Sequence, residues 1–172
     1  MTFNQYNGPG TLVSVAISLA GTISGEFTVN NPSITDTMPP VTLSWSPTVT
    51  AAASIGGLSV TAATSTWSDS TSSIPPLGHE TLSPALSYAE GPTYAANVSP
   101  FIGSGTFTVD ITETVPWTAS GGAGGNVNTS FGNAPTVTVT YEVENVPEPQ
   151  TYALLAGLGM LGFVAVRRRR RS

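Results

Sequence analysis

Every Lys and Arg side chain of this 172-residue chain lies in its last six residues. Arg167, Arg168, Arg169, Arg170 and Arg171 follow an uncharged, mostly apolar run from Thr151 to Val166, and all ten Asp and Glu precede that run. Cations resist translocation, so Lys and Arg collect on the cytoplasmic flank of a membrane segment. The pattern keeps the arginines inside and sends the chain before the run to the other side. Sixteen residues at about 1.5 Å each give roughly 24 Å, against roughly 30 Å of hydrocarbon. Such a run spans if the Arg stems snorkel and the bilayer thins locally. Gly157, Gly159 and Gly162 would each weaken a helix in water by about 1 kcal/mol, but lipid leaves the backbone few alternatives to a helix. A buried core helix with a basic end is the competing reading. Five consecutive arginines with no other Lys or Arg argue against it. The expectation is a transmembrane helix over 151–166 and a cytoplasmic tail over 167–172.

Pro147 and Pro149 flank Glu148 just before this run. Two prolines enforce an extended segment that neither starts a helix early nor pairs fully in a sheet. An exposed, extended tripeptide at a membrane boundary suits the cleft of a processing enzyme. Val146-Pro147-Glu148-Pro149, the short Gly- and Leu-rich span and the Arg cluster resemble the PEP-CTERM sorting signal of Gram-negative bacteria. The resemblance covers Val146 to Arg171. It implies anchoring in the inner membrane, cutting near Pro-Glu-Pro by an exosortase-type transpeptidase, and delivery to the cell surface or extracellular matrix. It is an address and an anchor, not an activity.

Removing the arginines leaves ten carboxylates and no Lys or Arg, a formal charge of −10 with His79 neutral. Such a body is repelled by nucleic acid and by anionic headgroups, which excludes nucleic-acid binding. It has no side-chain cations for ion pairs, so apolar burial and backbone hydrogen bonds must hold it. The absence of cysteine removes disulfides, thiol nucleophiles and thiolate metal sites. About 145 residues suffice to bury a core without staples, and one extracytoplasmic domain over 1–145 is expected, joined to the span by the 146–150 motif and linker.

The periodicity reads as strand. Val13, Val15, Ile17 and Leu19 alternate with small residues; after a break at Gly21, Ile23, Phe27 and Val29 keep the same parity, with Ser24-Gly25 suggesting a turn or bulge. Phe107, Val109 and Ile111 alternate with Thr and Asp, and Val137, Val139, Tyr141 and Val143 with Thr and Glu. Val41–Trp45 and Gly57–Thr61 are shorter strand-like pieces joined by a Pro- and Ala-containing link. These patterns fit an all-β, antiparallel β-sandwich of jelly-roll or Ig-like type, followed by the one C-terminal helix. Ser68–Pro100, with five prolines, and Ser120–Gly125 read as long surface loops, the latter followed by a strand at Asn126–Phe131. The Gly10–Leu19 stretch, Gly-Asn-Val-Asn-Thr-Ser-Phe and Thr-Val-Thr-Val-Thr-Tyr resemble the choice-of-anchor E domain over about residues 3–143. That likeness implies a surface protein and no chemistry. A secretory signal is expected for such a protein, and the opening residues have neither its basic start nor its apolar core; a true start upstream of Met1 is the favoured explanation.

No enzyme motif emerges. His79 is the only histidine, and it reads as a solvated loop residue rather than a base served by Glu80, Asp69 or Ser83. Asp110 and Glu113 sit three apart on a strand and face opposite ways. Glu142 and Glu144 read as a solvated edge. Calcium held by loop carboxylates is the one cofactor left open, although no Asp-x-Asp-x-Asp loop is present. Among the tryptophans, Trp45 and Trp117 read as core and Trp67 is the best candidate for an exposed ring able to stack on a sugar. Three functions compete. The leading one is a non-enzymatic surface or matrix protein. The second is a module binding the producer's exopolysaccharide through Trp67. The third is a hydrolase built around His79.

Overall fold

The computed structural model describes residues 1–122 and 124–144, together with the single positions Ala156 and Met160. Both single positions are helical and exposed, but the predicted span over 151–166 otherwise lies outside the described residues. Among those described, no helix is long and apolar enough to cross a membrane.

The body is all-β, and every pairing between its strands is antiparallel. In chain order the strands are β1 (Thr2–Asn4), β2 (Thr11–Asn30), β3 (Val41–Trp45), β4 (Thr48–Ala53), β5 (Ser59–Ala63) and β6 (Trp67–Ser70). Then come β7 (His79–Leu82), β8 (Ala85–Tyr94), β9 (Thr106–Thr114), β10 (Trp117–Gly121) and β11 (Asn126–Glu144). One layer places β2 between β11 on one side and β7 and β8 on the other. The facing layer comprises β1-β9-β4-β5 and its continuation β10-β3-β6.

Prolines explain why these layers are assembled from so many pieces. Pro84 separates β7 from β8, Pro47 separates β3 from β4, and Pro116 separates β9 from β10. A proline lacks the N–H that the ladder needs, so the strand assignment stops there. The register nevertheless carries straight through. Phe27 pairs with Leu82 and Ser24 with Ala85, leaving two residues unassigned on each strand. Trp45 pairs with Trp117 and Thr48 with Thr114, again leaving two on each. Backbone bonds bridge the gaps, from Gly25 N–H to Pro84 O at 2.9 Å and from Ser46 N–H to Pro116 O at 3.2 Å.

Four expectations are corrected here. The predicted loop over Ser68–Pro100 contains most of β6 and all of β7 and β8; its prolines punctuate paired strands instead of dissolving them. The link between Trp45 and Gly57 contains β4, and Ser120–Gly125 begins with the last two residues of β10. There is also no break at Gly21 and no turn at Ser24-Gly25: β2 runs for 20 residues, and its register against β11 is unshifted across both sites.

The two glycines occupy interior positions left without side chains. Val15, Ile17, Leu19, Ile23, Phe27 and Val29 share one parity and are at most 1 % exposed. Gly21 and Gly25 belong to that same inward row. A Cβ on Gly21 would stand 2.5 Å from both Ala134 O and the Tyr88 hydroxyl, and one on Gly25 would stand 3.0 Å from the Phe27 ring and 3.3 Å from Trp45. Tyr88 of β8 takes the space at Gly21, and Phe27 of β2 itself with Trp45 of the facing layer takes it at Gly25, so glycine here marks close approach inside a strand. Tyr88 crosses β2 at Gly21 and donates to Asn133 Oδ1 at 2.7 Å; Asn133 Nδ2 donates to Glu113 Oε1 at 2.7 Å. This relay ties β8 to β11 and β11 to the facing layer.

Candidate functional site

The sorting residues Val146, Pro147, Glu148 and Pro149 and the orientation residues Arg167–Arg171 lie outside the described residues. The structure fixes where the chain leaves for them. β11 delivers its last residue, Glu144, opposite Thr11, after a register shift between Glu142 and Val143. Glu142 and Glu144 are exposed at this exit, and Glu142 accepts a hydrogen bond from Ser14 Oγ at 2.9 Å. A cleft of about 480 Å³ opens beside it, lined by Tyr6, Gly8, Gly10, Leu12, Ile102 and Gly103 among others. Its lining includes no carboxylate, histidine or cation. Among the described residues the exit end gathers no reactive constellation.

At the other end of β2 the three tryptophans form one row. Trp117, Trp45 and Trp67 are directly paired across β10, β3 and β6. Phe27, from the facing layer, touches all three: edge-on to Trp45 at 5.8 Å, stacked on Trp67 at 5.7 Å and edge-on to Trp117 at 5.9 Å. Phe131 closes the cluster, stacked on Trp45 at 5.6 Å. The central strand carries the fully buried Trp45, as expected, whose Nε1–H has no acceptor among the described residues. The outer two differ from expectation. Trp67 is half-buried with one face against Phe27, and Trp117, expected in the core, is exposed at 36 %. The cause is position: β6 and β10 are the flanks of a three-stranded sheet, so only the middle ring is covered on both sides.

The remaining candidates stay apart. His79 lies on β7 opposite Asn30, not in a loop, and its side chain is exposed. Glu80, next to it and on the opposite face, accepts from the backbone N–H and Oγ of Ser72 at 2.9 and 2.6 Å. Among the described residues no hydrogen bond joins His79 to a carboxylate. Asp110 and Glu113 take the opposite faces of β9 that their spacing requires; Glu113 is committed to Asn133. No group of three or more His, Asp or Glu side chains gathers among the described residues in a way that could hold a metal ion.

Comparison with curated proteins and with solved structures finds no match for the chain. Residues 145–170 match the family model of the PEP-CTERM protein-sorting motif, so the chain carries a PEP-CTERM sorting signal at its C-terminus.

Proposed function

We propose that this is a non-enzymatic exported protein of the cell surface or extracellular matrix, sorted by its C-terminal signal. The helix over 151–166 holds it in the inner membrane with Arg167–Arg171 on the cytoplasmic side, and an exosortase-type transpeptidase cuts it at Pro147-Glu148-Pro149. The observation that carries this reading is the match of residues 145–170 to the sorting motif. Charge supports it: all Lys and Arg lie beyond the apolar run and all carboxylates before it, the asymmetry that fixes orientation. The body then contributes adhesion, spacing or a coat. Grafting residues 145–172 onto an unrelated exported protein tests the sorting role. The graft should carry its passenger to the envelope and release it trimmed; a passenger that stays soluble and full-length in the periplasm would refute the reading.

The exopolysaccharide-binding alternative draws less support. Trp67 has one face stacked on Phe27, which gives the ring a packing role that a free sugar platform would not need.

A further inference from the structure

The outer edge of β11 pairs with no strand among the described residues. Which backbone groups it offers follows from β2. The N–H of Gly25 donates to Pro84 O at 2.9 Å and the carbonyl of Val15 accepts from Ala95 N–H at 2.8 Å. Odd-numbered residues of β2 therefore point their backbone groups toward β7 and β8. Successive residues of a strand alternate, so the even-numbered ones bond β11. The register pairs even with even from Ser14–Glu142 to Asn30–Asn126 without a shift. The odd residues of β11, including Val137, Val139 and Tyr141, consequently turn their N–H and C=O groups to the open edge. Pro135 agrees with this assignment: its missing N–H falls on the open side, where a proline in a strand is tolerated.

Two further observations bear on the same stretch. Val137, Val139 and Tyr141 are only half-buried, while their partners on β2, Leu19, Ile17 and Val15, are at most 1 % exposed. The inner apolar row is thus partly uncovered along the open edge. Secondly, the run between Pro135 and the register shift at Glu142/Val143 is Thr136–Glu142, with Val139 at its midpoint. Its only charge sits at one end.

The geometry points to β11 pairing edge to edge with β11 of a second copy of this chain, antiparallel over Thr136–Glu142 about a two-fold axis at Val139. Val139 then meets Val139 and Val137 meets Tyr141, with about six backbone hydrogen bonds across the axis. The half-exposed apolar rows become continuous. On the outer face Thr138 meets Thr140 and Thr136 meets Glu142, so no like charges oppose one another. A parallel arrangement would set Glu142 and Glu144 against their own copies, which is destabilising. Both copies carry carboxylates and no Lys or Arg before the tail, so the pairing strengthens as salt screens their repulsion.

Sedimentation equilibrium of the full chain in detergent micelles tests this against two variants. Val139→Pro removes an outward N–H, as Pro135 already does, and spares the ladder to β2. Thr138→Asp/Thr140→Asp leaves single copies with exposed side chains but sets Asp opposite Asp in the pair. Each variant should raise the dimer dissociation constant by about tenfold or more, with circular dichroism unchanged. Raising NaCl from about 20 to about 300 mM should tighten the wild-type dimer. If Val139→Pro fails to fold, the Asp variant decides. A wild-type chain that stays monomeric, or a dimer that the folded variants leave intact, overturns the proposal. Uncut chain serves throughout, so the outcome is independent of whether processing at Pro147-Glu148-Pro149 occurs.

Discussion

The body and the tail of this chain carry information in opposite ways. In the body, residues 1–144, about a hundred and forty positions specify a shape through burial and register, and among the described residues no group of three or more His, Asp or Glu gathers. In the tail, 26 residues match a sorting motif, and their meaning lies in order, length and charge. The contrast teaches that one chain can hold shape and address in separate languages, long-range register for the first and a short contiguous signal for the second. It also predicts separability: damage to one region should leave the other's behaviour untouched.

The largest expected effect lies in the tail. Replacing Pro147, Glu148 and Pro149 by alanine should abolish processing while leaving the body's melting temperature unchanged, read by mass spectrometry and calorimetry on the same preparation. Within the body, Phe27→Ala should cost about 3–5 kcal/mol in chemical denaturation, because that buried ring touches all three tryptophans and Phe131. Gly21→Ala should cost about 1–3 kcal/mol, since its Cβ would meet the Tyr88 hydroxyl and Ala134 O. Wherever these variants still fold, the cleavage position should be that of wild type; a shifted or lost cut would break the separation.

Smaller effects sharpen it. Burial raises the pKa of Tyr88 above its ordinary value of 10.0; the Asn133 hydrogen bond opposes the shift and the nearby Glu113 charge adds to it, while burial alone raises Tyr141. A pKa raised on folding stabilises the protein below the unfolded value and the contribution is lost as pH climbs through the folded one. Stability should therefore fall above about pH 10, less steeply in Tyr88→Phe, which at neutral pH gives up about 1 kcal/mol with its hydrogen bond. Leu77 has a left-handed backbone, φ 56°, and an exposed side chain. Leu77→Gly should stabilise the body by up to about 1 kcal/mol, the relief of a bulky residue held in that region.

The sequence made the alternation of β2, β9 and β11 legible, and with it the layer architecture, because a period of two survives in any half-buried strand. What it concealed are the long-range reasons for its punctuation. Prolines at 47, 84 and 116 look like loop signals locally, yet the register of the flanking pieces carries through each of them. Gly21 and Gly25 look like breaks, yet Gly21 makes room for Tyr88 of β8 and Gly25 for Trp45 of the facing layer beside Phe27 of its own strand. Trp117 and Trp67 could not be ranked by neighbours in sequence, since their exposure depends on which of three strands lies in the middle. The sorting signal was readable for the opposite reason: it is short, contiguous and independent of the fold.

The central claim is that the tail is a processed address. Its most direct test is the intact mass of the protein recovered from the envelope and from the medium, wild type beside the Pro147→Ala/Glu148→Ala/Pro149→Ala variant. The account predicts wild-type protein missing a C-terminal piece that contains the arginines, and variant protein that retains it. Wild-type chain of full mass, held in the membrane like the variant, would contradict the account and leave a plain C-terminal anchor.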